Sequence, residues 1–158
     1  MFTFQTLGNP ALRKVLVHAE RNDVQTYYKG KIEFNDIQVN IGDGMKNDKF
    51  VAPLNGIYRF SFNANTNKAY DGNVEIEVRK EGTVQFFIKE QSYYYNNNVG
   101  FSWIMHMEKM NVMDLIISGY AISCEKTLPI TLTVELCGEC KNMPVDCEGF
   151  PYEGAIPT

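Results

Sequence analysis

Residues 31–65 read KIEFNDIQVNIGDGMKNDKFVAPLNGIYRFSFNAN, and this stretch decides the fold. After the turn signal Asn55-Gly56, apolar residues alternate with polar ones, which is the period of a strand with one buried face. The alternating apolar positions are Tyr58, Phe60, Phe62 and Ala64. Upstream, the segment from Ile37 to Ile41 alternates in the same way until Gly42-Asp43-Gly44 interrupts it. The stretch therefore predicts two strands that flank a turn-rich loop.

The same alternation recurs along most of the chain, whereas sustained helical periodicity is scarce. Further strands are predicted over residues 11–20, 74–78, 84–89, 101–107, 114–118 and 130–136, with Phe50, Ala52 and Pro53 forming a short extended segment. The pair Glu81-Gly82 is a turn signal that predicts a hairpin between the strands on either side of it. Many short strands with turns between them indicate an all-β antiparallel sandwich, barrel or jelly roll.

The composition indicates one globular domain. The chain has 158 residues, of which 44% are hydrophobic and 13% aromatic, so it contains enough apolar side chains for a sizeable core. Its formal net charge of -4, with scattered Lys and Arg, argues against a nucleic-acid partner, because such binding depends on basic patches. No apolar run approaches the roughly 18 residues of a membrane span, and no signal peptide is recognisable in this chain.

Several linked motifs resemble the globular domain of the complement C1q family, whose fold is the jelly roll shared with tumour necrosis factor. The matching positions are Phe34, Ile37, Val39, Asn40, Gly42, Phe50, Ala52, Pro53, Gly56, Tyr58, Phe60, Phe62, Asn73 and Val74. The segment from Trp103 to Gly119 is similar to the family's penultimate strands, and the segment from Leu16 to Asn22 to its first strand. The resemblance covers residues 16–136, so we expect a lead-in over 1–15, a C1q-like domain over 16–136 and a cysteine-containing tail over 137–158.

The resemblance implies a secreted, extracellular and non-enzymatic recognition module. Family members assemble as compact trimers and bind proteins, carbohydrates or microbial surfaces through exposed loops, in innate immunity or cell adhesion. The same resemblance leaves two other functions open. One is a tumour necrosis factor-like cytokine that binds receptors, and the other is a structural trimerisation domain.

Two surfaces are candidates for these roles. The polar face of the strands that carry the aromatic core is the candidate trimer contact, and it comprises Arg59, Ser61, Ser102, Ile104 and His106. The candidate ligand contact is a run rich in Tyr and Asn, residue types that combine rigid apolar area with adaptable hydrogen bonds. This run comprises Tyr93, Tyr94, Tyr95, Asn96, Asn97 and Asn98. A solvated loop without a ligand is an equally simple interpretation of the run.

The four cysteines, Cys124, Cys137, Cys140 and Cys147, have two leading interpretations. An even number of cysteines in a secreted domain favours disulfides, and four cysteines permit three fully paired connectivities. The spacing Cys137-x2-Cys140 is also that of zinc ligands, with the other cysteines completing a tetrahedron. Redox catalysis lacks the helix start that would activate a CxxC motif.

No catalytic constellation is present in the sequence. His18 and His106 are the two histidines, and neither lies beside a nucleophile motif. Calcium is bound by some members of the resembled family, and Asp43, Asp48 and Asp71 lie in turn-rich segments with Asn and Gly. Their spacing matches no calcium loop, and Asp, Asn and Gly are also ordinary turn residues.

Overall fold

The computed structural model describes residues 14–23, 25–27, 30–66, 71–93, 98–117 and 122–139. Their regular secondary structure consists of β-strands. The strands are β1 (Leu16–Arg21), β2 (Gln25–Tyr27), β3 (Gly30–Lys31), β4 (Asp36–Ile41), β5 (Phe50–Val51), β6 (Gly56–Thr66), β7 (Asp71–Lys80), β8 (Thr83–Tyr93), β9 (Asn98–Met107), β10 (Val112–Ile117), β11 (Ile122–Cys124) and β12 (Ile130–Glu139). In this part of the chain, no helix has the length and hydrophobicity of a membrane span.

The strands form two antiparallel sheets that pack face to face. The larger sheet has the order β2-β11-β6-β12-β1-β4, and β9 pairs with the side of β6 opposite β12. The smaller sheet has the order β3-β10-β7-β8, with β5 also paired to β10. Consecutive strands such as β6 and β7 lie in different sheets, so the chain crosses between the sheets, as it does in a jelly roll. The predicted all-β jelly-roll sandwich is confirmed.

Strand β6 supplies the centre of the core, as its alternation predicts. Tyr58, Phe60, Phe62 and Ala64 are fully buried, whereas Asn63 on the other face is exposed. The ring centroid of Phe50, on β5 of the smaller sheet, lies 5.4 Å from that of Tyr58 and 5.8 Å from that of Phe60. These edge-to-face contacts join the two sheets through aromatic rings.

The predicted hairpin between β7 and β8 is present. Its turn residues Glu81 and Gly82 have φ of 52° and 78°. Positive φ at both central positions is the geometry whose twist matches that of paired strands, and a glycine at the second position adopts it without strain. A local sequence signal therefore sets the register of the two strands.

The structure differs from the sequence prediction at several strand boundaries. Strand β12 continues to Glu139, past Leu136, because its last residues pair with the start of β6. Ile32 and Phe34 are buried but lie just after β3 instead of within a strand. The short strands β2, β3 and β11 were not expected, because elements of two or three residues are too short to display alternation.

Candidate functional site

The candidate trimer residues lie together on the outer face of the larger sheet, which we call the assembly face (Arg59, Ser61, Ser102, Ile104 and His106). Ser61 and Ser102 are directly paired across β6 and β9, and their hydroxyl oxygens lie 3.2 Å apart. Arg59 pairs with Ile104 in the same register, and the position of His106 is one pair further along. Sequence alternation alone placed these side chains on one side of their strands, and the strand pairing brings them into one continuous surface.

The neighbouring strands extend the assembly face with small or mutually bonded polar groups. Arg59 reaches Glu135 on β12 at 3.8 Å between Nη1 and Oε1. Beyond β12, His18 Nδ1 lies 3.2 Å from Thr133 Oγ1, and His18 Nε2 lies 3.1 Å from Glu20 Oε2. The charged groups of this region are therefore already arranged in contacts within the sheet.

The chain of Glu20, His18 and Thr133 has the order of a hydrolase triad but lacks the other parts of one. Thr133 lies on β12, which is paired on both sides by β1 and β6, so its neighbouring N–H groups are bonded within the sheet. Among the described residues, this flat and fully paired surface presents no free backbone N–H groups beside Thr133 that could form an oxyanion hole. Cross-strand hydrogen bonding accounts for the arrangement.

The outer face of the smaller sheet carries a connected network of ion pairs. Asp114 on β10 lies between Lys31 Nζ, at 3.2 Å, and Arg79 Nε, at 3.5 Å. Lys31 also approaches Asp48 at 3.7 Å, and Arg79 approaches Glu77 at 3.9 Å. A charged network of this kind suits contact with solvent.

The run of tyrosines and asparagines connects β8 to β9. Tyr93 is the last residue of β8, and Asn98 is the first residue of β9, so both ends of the run belong to strands. Asn98 is exposed, and its side chain donates to the carbonyl of Ala64 at 3.3 Å. Residues 94–97, which include Tyr94, Tyr95, Asn96 and Asn97, lie outside the described residues. Their contact role stays a prediction.

A cleft that sequence analysis missed lies between the edge strands β8 and β9, and we call it the edge cleft. It has a volume of about 550 Å³. Its lining residues are Lys80, Gln85, Phe86, Phe87, Phe101, Ser102, Trp103, Ile104 and Met105. This volume lies in the range of sites that enclose small ligands or a few side chains.

Aromatic rings lead from the core to this cleft. Trp103 stacks on Phe60 with a centroid distance of 5.3 Å, and Phe86 contacts Trp103 at 5.4 Å and Phe101 at 5.6 Å. Trp103 is 7% exposed, whereas Phe101 is 47% exposed. The alternation of β9 gives both residues the same apolar signature, and only the shape of the opposing sheet decides that one of them remains uncovered.

The described cysteines lie far apart along the larger sheet. Ser123, next to Cys124, pairs with Asn65 of β6, whereas Cys137 lies at a bulge opposite Ile57 and Tyr58. At 3.3 Å per residue along β6, the positions opposite the two cysteines are roughly 20 Å apart. A disulfide requires Cα atoms within about 7 Å, and thiolates on one zinc ion lie closer still. In this strand register Cys124 and Cys137 are too far apart to pair with each other or to bind the same zinc ion. Pairings or metal binding that involve Cys140 or Cys147 stay predictions.

The local environments of the two thiols differ. Cys124 is buried, and its thiol donates to the carbonyl of Asp23 at 3.3 Å. Cys137 is exposed on the structure described here, yet partial burial of its sulfur raises the pKa of the thiol, an effect that the nearby Arg59 opposes. Cys140 and Cys147 lie outside the described residues. The structure shows no disulfide among the cysteines that it describes.

The candidate calcium residues Asp43, Asp48 and Asp71 occupy separate places in the part of the fold that the structure describes. Asp43 lies near Lys46, at 3.9 Å, and Asp48 lies near Lys31. Asp71 is the first residue of β7. Lys80, at the other end of that strand, pairs with Met113, and Met113 also pairs with Phe50 of β5. The backbone of Asp71 is therefore at the end of β7 remote from β5. Over the described ranges, no group of three or more His, Cys, Asp or Glu side chains is arranged to hold a metal ion.

Comparison with known proteins gives structural matches without sequence matches. No family model matches the chain, and no curated protein matches it. The globular domain of zebrafish complement 1qA protein superimposes with a TM-score of 0.64 at 17% identity, over 80% of this chain and 98% of that one. Murine APRIL at pH 5.0 gives a TM-score of 0.63 at 14% identity, over 78% of this chain and 99% of that one.

A third match is the tumour necrosis factor Eiger from S. frugiperda. Its TM-score is 0.64 at 6% identity, and the match covers 83% of this chain and 97% of that one. Identities this low establish the architecture alone. The chain has the jelly-roll fold of C1q and tumour necrosis factor domains, as its motifs predict.

Proposed function

We propose that this chain is an extracellular, non-enzymatic recognition module that assembles as a homotrimer. Its loops would bind protein, carbohydrate or microbial-surface ligands, in innate immunity or cell adhesion. The likeness to a complement 1qA globular domain supports the module class, since that domain has the same fold. The positions of Arg59, Ser61, Ser102, Ile104 and His106 on one continuous surface support the assembly.

The observation that carries this proposal is the contrast between the two outer faces of the sandwich. The smaller sheet carries ion pairs around Asp114, whereas the assembly face offers the close pair Ser61 and Ser102 beside the nearly buried Ile104. Contact surfaces between copies of a chain are depleted of charge at their centre. The centre of the assembly face, at Ser61, Ser102 and Ile104, has that character, with the ion pair of Arg59 and Glu135 beside it, whereas charged groups surround Asp114 on the other face.

The assembly test is a substitution at the centre of this face. Ser61→Glu would bring carboxylates from several copies close together, and the repulsion between buried like charges costs far more than it does in water. We expect a mass near three times that of the chain for the parent protein and a monomer for the variant, both measured by light scattering during size-exclusion chromatography.

Thr127→Glu is the matched control, because Thr127 is an exposed turn residue away from the assembly face. It should keep the parent mass. A monomeric parent protein, or a Ser61→Glu variant that retains the parent mass, would remove the assembly face from the proposal.

The ligand test replaces Tyr93, Tyr94 and Tyr95 together by serine. If the run contacts the ligand, binding to an array of glycans or to fixed bacterial cells should fall at least about tenfold, which corresponds to about 1.4 kcal/mol. The melting temperature should stay near that of the parent, because a contact loop contributes little to the core. Met110→Ser, in an exposed turn elsewhere, is the control. Unchanged binding by the tyrosine variant would exclude the run.

A second candidate function is receptor binding by a tumour necrosis factor-like cytokine. The likeness to murine APRIL supports it, since its TM-score of 0.63 is close to the 0.64 of the complement domain. The two functions differ in the chemistry of the ligand. Binding to cells that survives enzymatic removal of surface glycans, together with no glycan binding on the array, would favour the cytokine.

A further inference from the structure

A histidine lies at the level of the centre of the assembly face, two strands away from it. His18 of β1 is opposite Thr133 of β12, and Thr133 is opposite Ser61 of β6. Residues that are directly paired in a sheet lie on the same face of it. The side chains of His18 and its neighbour Glu20 are 32% and 18% exposed, so contact with a second copy can still remove both from water.

The contacts of His18 define the direction of its hydrogen bonds. Its Nε2 lies 3.1 Å from Glu20 Oε2, and its Nδ1 lies 3.2 Å from Thr133 Oγ1. An ionised carboxylate only accepts, so the hydrogen of the neutral imidazole lies on Nε2, and Nδ1 accepts from the Thr133 hydroxyl. In the protonated imidazole both nitrogens donate. Thr133 then accepts from Nδ1, and its own hydrogen turns away from His18.

Two carboxylates beside His18 are bound by neutral donors within the part of the chain that the structure describes. Glu20 Oε1 lies 3.5 Å from Asn22 Nδ2. Asp36 of β4 is opposite Glu20 in the strand register, and its Oδ2 accepts from the same Nδ2 at 2.9 Å and from Gln38 Nε2 at 3.2 Å. Like charges that are opposite each other in a sheet repel. A proton on His18 therefore supplies a positive charge where two negative charges meet.

The other charged groups on the strands around His18 already have partners of opposite charge. On β12, Glu135 is approached by Arg59 of β6 at 3.8 Å. At the end of β1, Arg21 donates to both carboxylate oxygens of Asp23, at 2.7 and 2.9 Å. The unbalanced charge of this region thus comes from the two carboxylates beside His18.

We propose that uptake of a proton by His18 strengthens the assembly, so that His18 is a pH sensor beside the assembly face. This inference rests on the proposed assembly through that face. When a second copy covers Glu20, the carboxylate loses water, and an imidazolium beside it compensates this loss by forming an ion pair. Glutamate stays ionised over most of the range in which histidine titrates, so mild acid adds the cation and keeps the anion. The hydroxyl of Thr133 also becomes free to donate to the neighbouring copy.

The test is the dissociation constant of the oligomer at several pH values, measured by sedimentation over a range of protein concentrations. For the parent protein it should fall at least about tenfold between about pH 8 and about pH 6, because assembly takes up protons in this range. A constant that does not change, or that rises in acid, would overturn the sensor and leave the assembly in place. A parent protein that is monomeric at every pH would overturn the assembly and the sensor with it.

Variants of the two contact partners assign the effect. His18→Gln can donate to Glu20 and accept from Thr133 but takes up no proton, so its dissociation constant should not fall in acid. Glu20→Gln removes the carboxylate that gains an ion pair, so it should also lose the effect. Asp43→Asn, at a carboxylate that is 88% exposed, is the matched control and should retain it. An acid effect that persists in His18→Gln would assign the titration to His106 and contradict the proposal.

The ring nitrogens of His18 give a readout that does not depend on oligomer mass. Their NMR shifts distinguish the two neutral tautomers from each other and from the imidazolium. At about pH 8 we expect the tautomer with hydrogen on Nε2, in the parent protein and in Asp43→Asn. Hydrogen on Nδ1 would contradict the order of hydrogen bonds from Thr133 to Glu20. The melting temperature of each variant, measured at the same pH values, establishes that the compared proteins are folded.

Discussion

Tyr58 shows at the scale of one residue how a position on an alternating strand combines core packing with a polar function. Its side chain is fully buried, and its hydroxyl donates to the carbonyl of Leu54 at 2.6 Å and accepts from the N–H of Leu54 at 3.2 Å. Burial raises the pKa of Tyr58 to about 12. The phenol therefore has both of its hydrogen-bonding roles satisfied only in its neutral form.

This pKa predicts a specific loss of stability in alkali. The ordinary tyrosine pKa of 10.0 applies to the unfolded chain, so the contribution of the neutral phenol is complete below pH 10 and disappears as the pH rises to about 12. We expect Tyr58→Phe to be less stable than the parent by about 1 kcal/mol at pH 7, because it lacks the Leu54 hydrogen bonds. The difference should shrink between pH 10 and 12.

The measurement is urea unfolding of both proteins at successive pH values. Because the other tyrosines are common to both proteins, their titration cancels in the difference. A stability difference that stays constant through this range would show that Tyr58 does not couple ionisation to folding.

At the scale of elements, β10 joins the smaller sheet through a charge instead of through apolar contacts alone. Asp114 is paired with Arg79 of β7 in the strand register, and Lys31 of β3 approaches it from the other side. Its side chain is 10% exposed, whereas that of Lys31 is 37% exposed. One nearly buried carboxylate thus compensates cations from both neighbouring strands.

Removal of this carboxylate should destabilise the smaller sheet. Asp114→Ala leaves Arg79 and Lys31 without their shared partner, and we expect a loss of about 1–3 kcal/mol, reduced from that of a fully buried pair because Lys31 reaches solvent. Asp114→Asn retains the shape and an acceptor and should lose less. Denaturant unfolding measures both variants.

Asp43→Ala is the control for this series. The Asp43 side chain is 88% exposed, and its ion pair with Lys46 is 3.9 Å long, so its removal should not change stability measurably. Equal losses for Asp114→Ala and Asp43→Ala would contradict the structural role of the Asp114 contacts.

At the scale of the whole molecule, the cysteines show how the topology limits what a sequence pattern permits. Cys124 and Cys137 lie on the same side of β6, but at opposite ends of it. Of the three full pairings that four cysteines allow, the one that joins these two is excluded, and so is a single site that contains both. The remaining pairings each connect Cys124 with Cys140 or Cys147.

This geometry predicts the behaviour of the variant Cys140→Ser, Cys147→Ser. We expect no disulfide within the chain and no zinc bound at stoichiometric amounts, because the two remaining sulfurs cannot meet. Peptide mapping without reduction and metal analysis of the purified protein measure both outcomes. A peptide that joins Cys124 to Cys137 in a monomeric fraction would contradict the strand register.

Much of the fold could be predicted from the sequence, because burial on one face of a strand leaves a two-residue period that is read locally. That period located β6, β7, β9 and the aromatic core, and the Glu81-Gly82 turn located the hairpin. The linked motifs predicted the jelly roll itself. The short strands were not predicted, because they are recognised by their hydrogen-bond pairing and are too short to show the two-residue period.

The tertiary structure alone decided which parts of these faces remain open. Residues 31–65 determined two strands and a core, but whether Phe101 is covered depends on how β8 of the opposing sheet packs against β9, and that is a long-range property. Likewise, the pairing of Ser61 with Ser102 and the distance from Cys124 to Cys137 follow from strand order. Local periodicity specifies the side of a strand on which a residue lies. The opposing sheet specifies what that residue meets.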